Sequence, residues 1–371
     1  MHDDAPATSL RRDQLAIGLV AAMLVALEVV WTRIFSAEFF YSFAFLTVSL
    51  AVLGLGLGAL SLRFWPALAT SSRIGLAALI AAGTAALAPA LVLRLDIDFV
   101  ALWRSWGDIA LLLLGVGALV LPYLAGGVFI AALLRRHRVQ TGRLYAADLV
   151  GAAMGGVGAV AAMNGFGVPA AAALVCLPGA LAGWGRNRYQ QVAALGLAAA
   201  LAALAALAGA ILVPRGPEKA PIVAEHWDAL GRIKIYVHGA QARGINIDGA
   251  ANMLLHRVRG DWREGMPVQP PDFRLDLGPL VAALAAERVM VVGAGGGAEV
   301  MQAKLGGATR IDAVEVNAAL NEMLLAGDQA AFFGHLYRSA GVSVQSEDAR
   351  AYARRHPGTF DLILSRSANT F

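Results

Sequence analysis

Val289-Met290-Val291-Val292-Gly293-Ala294-Gly295-Gly296-Gly297-Ala298-Glu299 is an apolar run that passes directly into a glycine-rich turn. A short continuous apolar run bounded by glycines reads as a strand buried on both faces. The glycines let the backbone turn tightly and approach a ligand closely, and Ala298–Leu305 reads as a helix whose first amides face an anionic or polar group. Strand, turn and helix open a βαβ pattern, which makes this part of the chain α/β.

The pattern continues downstream. Residues 311–316 are the next expected strand, and Glu315 near its end lies about twenty residues past the loop, where a carboxylate can accept both ribose hydroxyls of a nucleotide-like ligand. A third strand, Val342–Gln345, runs into Ser346-Glu347-Asp348-Ala349-Arg350, where the Asp348 carboxylate can accept from an adenine amino group. A fourth is expected over 360–365. The loop also satisfies a relaxed dinucleotide fingerprint, so NAD and adenosylmethionine-type ligands both remain open on these residues. Upstream, 224–259 alternates in strand fashion through Arg232-Ile-Lys-Ile-Tyr-Val237 and Gly244-Ile-Asn-Ile-Asp-Gly249, with Gly239 as a turn signal. Pro267, Pro270 and Pro271 mark a loop, and 275–286 reads as a helix leading into the glycine-rich strand. The expected parts are a small β-rich unit at 222–266 and a nucleotide-binding part at 275–371.

The chain before Pro214 is of another kind. Of 371 residues 58% are hydrophobic and 15% charged, and the apolar excess is concentrated there. Against the roughly 20 residues needed to cross a bilayer, candidate spans fall near 15–36, 39–62, 74–95, 109–134, 145–163, 167–184 and 191–213. Residues 1–214 are therefore expected to be a multi-pass helical membrane domain of about seven spans. Arg11 and Arg12 precede the first run as in a signal peptide, but its length and the lack of a small-residue cleavage site indicate a retained helix. Gly-Phe-Gly-Val-Pro169 is short enough to make a hairpin that need not fully cross, so the last three spans are the least defined.

The net charge of +4 does not indicate nucleic acid, because many arginines sit in short loops beside apolar spans. Arg135, Arg136, Arg138 and Arg143 form the densest such loop and should face the cytoplasm, with Arg186 and Arg188 agreeing two spans later. Seven crossings then carry the chain to the outer face, whereas an adenosyl cofactor is made in the cytosol. Gly54-Leu-Gly56-Leu-Gly58 and Gly151-Ala-Ala-Met-Gly155-Gly156 place small residues four apart, a spacing that lets membrane helices pack closely. Glu28, Arg33 and Asp148 are ionisable groups within or near spans, expected to face a partner or a polar cavity. The only cysteine, Cys176, excludes a disulfide or a thiolate metal site within one chain.

Together the glycine loop, Asp312-Ala-Val-Glu315-Val-Asn317 and Glu347-Asp348-Ala-Arg350 resemble the spermidine synthase (polyamine aminopropyltransferase) family. His226-Trp-Asp-Ala-Leu-Gly-Arg232 through Ile247-Asp248-Gly249 looks like that family's N-terminal β unit. Leu27-Glu28-Val-Val-Trp31-Thr-Arg33, Leu53-Gly-Leu-Gly-Leu-Gly-Ala59 and Leu144-Tyr-Ala-Ala-Asp148-Leu-Val-Gly151 are similar to the multi-pass region fused to some bacterial members. The resemblance implies a partial Rossmann-like domain in a bacterial-type inner membrane. It also implies decarboxylated S-adenosylmethionine (or S-adenosylmethionine) as cofactor and a polyamine or other small amine as acceptor. Gly293, Gly295 and Gly297 would cradle the sulfonium-bearing tail, Glu315 would hold the ribose and Asp348 the adenine.

The chain departs from the family twice. Ala298 and Glu299 follow the glycines where the family has an aspartate, and Leu364-Ser365-Arg366-Ser367 replaces another after the fourth strand, so no catalytic base is nominated. The family's sheet continues for about three more strands, whereas this sequence stops at Phe371. A truncated sheet is expected, with an open edge that invites pairing with a second copy of the chain in a homo-oligomer. A transport or scaffold protein with a nucleotide-sensing domain is the alternative reading, motivated by Glu28 and Asp148, and a NAD-dependent reductase is the third.

Overall fold

The computed structural model describes residues 7–39, 43–95, 97, 102–185, 187–211, 220–269 and 273–366. Arg186, Pro214, Pro270, Pro271, Ser367 and Phe371 lie outside the described residues. The chain divides into two compact units, Met1–Gly216 and Pro217–Phe371.

The first unit is helical: α1 (Ala7–Glu38), α2 (Phe43–Phe64), α3 (Ser71–Val92), α4 (Trp106–Arg136), α5 (Thr141–Phe166), α6 (Val168–Leu174), α7 (Leu177–Ala182) and α8 (Arg188–Ile211). Six of these, all but α6 and α7, are long and apolar enough to cross a membrane. The candidate at 167–184 is two short helices instead of one. Pro169 and Pro178 each stand in the first turn of a helix, where a missing N–H costs nothing, and Pro178 cannot extend the helix before it.

Polar contacts show how the helices alternate. Asp13 of α1 lies 2.8 Å from Nε2 of His137, just past α4, and Gln14 Nε2 donates to the Arg143 carbonyl of α5 at 3.4 Å. Arg136 at the end of α4 donates to Ser71 Oγ at the start of α3 at 2.7 Å, and Arg135 donates to Leu62 O near the end of α2 at 3.5 Å. Arg12 donates to the Trp184 carbonyl beyond α7, and Gln190 of α8 donates to Ser72 O at 2.5 Å. The chain therefore comes back to this end of the bundle after α7, so α6 and α7 together complete a return pass. The arginine-rich ends gather here, and α8 runs away from them.

Small residues set the helix spacing. Cβ atoms added to Gly151 and Gly155 of α5 would meet the carbonyls of Gly18 and Ala22 on α1, also four residues apart. A Cβ on Gly54 would come within 2.9 Å of Val120 O, and one on Gly127 of α4 within 2.5 Å of Leu55 O. Gly56, between the contacting glycines of α2, faces open space. The four-residue spacing thus marks the contact stripe, as close membrane packing requires.

The second unit begins with an antiparallel meander of β1 (Ile222–Trp227), β2 (Arg232–His238), β3 (Ala242–Ile247) and β4 (Ala251–His256), in that spatial order. Ile235 pairs with Ile245, and both are fully buried. A second, wholly parallel sheet has the order β7-β6-β5-β8, with β5 (Arg288–Val292), β6 (Arg310–Val314), β7 (Val342–Gln345) and β8 (Leu362–Leu364). Its helices are α9 (Gly278–Ala283), α10 (Ala298–Leu305), α11 (Ala318–Leu325), α12 (Gly327–Phe332) and α13 (Ala349–Arg355). Ile233, Ile245 and Leu255 of the meander share one core with Val289, Val291, Leu320 and Phe333 of the parallel layer.

Three expectations shift. The helix read over 275–286 shortens to the six residues of α9. The second strand ends at Val314, which leaves Glu315 just beyond it, and the fourth shrinks to the three residues of β8. Strands β6 and β7 lie on one side of β5 and β8 on the other, so the direction of winding reverses at β5. Open parallel sheets leave a crevice at such a reversal, beyond the carboxyl ends of the strands.

Candidate functional site

The glycine turn leaves the carboxyl end of β5. Gly293, Gly295 and Gly297 have φ of 66°, 44° and 79°, the left-handed region that a Cβ disfavours. The Gly293 and Ala294 amides donate to Val314 O at 2.9 and 3.2 Å, tying the turn to the end of β6. No side chain caps the N-terminus of α10.

Glu315 sits against this turn. One carboxylate oxygen accepts from the Gly295 amide at 3.2 Å and the other from the Asn317 amide at 3.0 Å. Only 7% of the residue is exposed. Asn317 also caps α11 by accepting from the Leu320 amide at 3.2 Å, and Asn321 donates to Ser346 Oγ beyond β7 at 2.9 Å. The ends of three neighbouring strands are thus held together around one carboxylate.

Tyr337 closes the loop from below, its hydroxyl donating to Gly295 O at 2.7 Å. Burial, with the charges of Glu315 and Glu299, holds its phenol well above the ordinary tyrosine range, so it remains a donor. Gly295 is therefore fixed at both ends, by Glu315 at its amide and by Tyr337 at its carbonyl. Nothing in the local sequence around Tyr337 announced this role. The cap at Asn317, by contrast, is a side-chain type that commonly precedes a helix.

The sequence-derived site residues are not equivalent. Gly295 and Gly297 are covered: a Cβ on Gly295 would strike Met253 Sδ of β4, and one on Gly297 would lie 3.2 Å from Leu336. The turn is more open at Gly293, Ala298 and Glu299, which are half-buried. Asp348 is exposed and caps α13, accepting from the Ala351 amide at 2.9 Å. It lies past β7 on the same edge of the sheet as Glu315, with no hydrogen bond to the loop.

Carboxylates that could hold a cationic amine are mostly engaged. Asp276 pairs with Arg366 at 2.9 Å, Glu225 with Arg232 at 2.7 Å, Asp361 with Arg288 at 3.2 Å and Glu347 with Arg355. Asp261 is held by Arg263 and His335, and the Arg263 hydrogen bonds keep its carboxyl well below the usual carboxylate range. Glu299, in the first turn of α10, has no hydrogen bond or ion pair among the described residues. Also among the described residues, no cluster of three or more His, Cys, Asp or Glu could hold a metal. Neither a family model nor a curated protein nor a solved structure matches the chain.

Proposed function

We propose that the second unit binds an adenosyl compound of the S-adenosylmethionine class, decarboxylated or not, on a Rossmann-like sheet carried by a multi-pass inner-membrane protein. The observation that carries this reading is Glu315, fixed by two backbone amides beside a positive-φ glycine turn where the winding of the sheet reverses. Both oxygens keep a lone pair free, because each accepts only one bond, so the carboxylate can still receive two ribose hydroxyls. Asp348, with one oxygen used for capping, has the other for an adenine amino group. Glu299 and Glu315 flank Tyr337 and give the loop a negative field suited to a cationic tail.

When bound, the cofactor would supply a sulfonium whose carbon an amine can attack while the thioether leaves. This chain's own part is to orient that group through Glu315 and the open side of the turn. Arg366 is drawn to Asp276, away from the role the family gives an aspartate at that position. With Glu225, Asp261, Asp276, Glu347 and Asp361 each paired with a cation, aminopropyl transfer to a polyamine rests on the family resemblance more than on an acceptor pocket. Glu315→Ala is expected to abolish binding of an adenosyl ligand and leave the chain in the membrane. Unchanged binding would refute the proposal.

A transport or sensing role is the second reading. Trp31 and Tyr123 are fully buried in the bundle, yet Trp31 Nε1 and Tyr123 Oη have no hydrogen-bond partner among the described residues. Their rings pack edge to face at 5.7 Å, three residues along α1 from Glu28. Unpartnered polar atoms at bilayer depth are costly and mark a place where a polar solute could be accommodated. Flux through proteoliposomes lost in Glu28→Gln but kept without residues 222–371 would favour it.

A further inference from the structure

Between α2, α3 and α4 runs an apolar groove of about 680 Å³, within the range of ~300–1,000 Å³ that holds small ligands. Leu57, Leu60, Ile80 and Leu124 line its length, and its few polar groups, Ser61 and Arg73, lie toward one end with Trp65. Seven residues separate Leu57 from Phe64 on α2 and Arg73 from Ile80 on α3, so the groove extends about 10 Å from the arginine along the helices. That is the depth reached by the upper part of an acyl chain whose headgroup stays at the interface.

The end carrying Arg73 is the basic end of the bundle. Arg73 is exposed and makes no hydrogen bond or ion pair among the described residues, and the same holds for Arg63 next to Phe64. Arg136 reaches Ser71, two residues before Arg73, and Arg135 reaches Leu62, one residue before Arg63. Arg63, Arg135 and Arg136 thus belong to the same end of the bundle as Arg73, which itself lines the groove. Among the described residues the only carboxylate within reach of any of them is Asp13, 3.8 Å from Arg136 and already bonded to His137. Trp65 is 62% exposed beside them, as an indole at the headgroup level would be.

We propose that this groove is a site for one anionic phospholipid, with its phosphate on Arg73 and one acyl chain along Leu57, Leu60, Ile80 and Leu124. An apolar slot alone would take any lipid. The unpaired Arg73 at its mouth selects for a net negative headgroup, since guanidinium binds phosphate through two parallel hydrogen bonds, and the exposed Arg63 at the same end adds attraction to an anionic lipid surface. The proposal does not depend on what the second unit binds.

The test is native mass spectrometry of the purified, delipidated full chain titrated with phosphatidylglycerol and with phosphatidylcholine of identical chains. Wild type should retain phosphatidylglycerol in preference. Arg73→Ala should weaken that retention roughly fivefold, the effect of one arginine at an anionic surface, and narrow the preference by the same factor. Arg73→Lys should restore most of it, and Arg104→Ala should leave it unchanged. Ala77→Phe, which fills the groove, should reduce retention of both lipids, and unchanged phosphatidylcholine binding by Arg73→Ala would show that this variant is folded. Equal retention of the two lipids by wild type, undiminished preference in Arg73→Ala, or unaltered binding in Ala77→Phe would each overturn the proposal.

Discussion

Glycine does two different jobs in the two units. In the bundle, Gly151 and Gly155 lie inside a regular helix, and their value is the missing Cβ, which lets α5 rest on the backbone of α1 at Gly18 and Ala22. In the second unit, Gly293, Gly295 and Gly297 adopt positive φ, and their value is a turn that other residues enter at a cost. One set is spaced by the helical repeat and the other is packed into a few residues. A stripe of glycines four apart therefore reports helix contact, whereas a dense run after a strand reports backbone conformation.

Substitutions break this comparison in order of size. Gly155→Leu should be the most damaging change, because the new side chain meets backbone that cannot move aside. Overpacking costs ~1–3 kcal/mol or more, and the variant should lose its cooperative thermal transition in detergent, whereas Gly56→Ala, facing open space, should not shift it. Next is Glu315→Gln. It keeps one acceptor but turns an amide NH2 toward a backbone N–H, so a loss of ~1–3 kcal/mol is expected in the unfolding of the second unit, together with loss of adenosyl-ligand binding. Gly297→Ala should cost ~1–2 kcal/mol from the left-handed conformation and should weaken the ligand less than Glu315→Gln does.

Smaller effects sharpen the assignment of Asp348. Asp348→Ala should lose ~1 kcal/mol with the cap of α13, while Asp348→Ser keeps a capping oxygen and should melt near wild type. If ligand binding falls equally in both, Asp348 contacts the ligand; if it falls in neither, Asp348 is only a cap. The smallest effect is electrostatic. Hydrogen bonds from Arg288 lower the Asp361 pKa, so the unfolded chain binds the proton more readily, and the pair's contribution is present above the unfolded carboxylate pKa and lost as pH falls through the folded one. Asp361→Asn should flatten the acid limb of a stability–pH curve slightly, because the pair is exposed and screened.

Much of the second unit was legible because strands and turns have local signatures. Val342–Gln345 and Ala298–Leu305 fall where the pattern placed them. The acid expected at the second strand is also the residue that meets the glycine turn. Tyr337 and Met253 were not legible, since their contacts with Gly295 bridge 42 residues on each side and depend on how the meander and the turn after α12 fold over the loop. In the bundle, alanine-rich runs hid the break between α6 and α7, but Pro178 marked it in a way that counting hydrophobic residues could not. The break also bears on direction: because α7 ends beside Arg12, α8 departs from the basic end. A membrane-impermeant label directed to a site introduced just after residue 211 should therefore react from the face opposite the arginine-rich end.

The most direct measurement is calorimetric titration of the purified, detergent-solubilised chain and its Glu315→Ala variant with decarboxylated adenosylmethionine, adenosylmethionine and methylthioadenosine. Saturable binding of at least one by wild type, lost in a variant that still unfolds cooperatively, is the expected result. A folded wild type that binds none of the three, or a variant that binds as well as wild type, would contradict the assignment of Glu315 and the glycine turn as an adenosyl site.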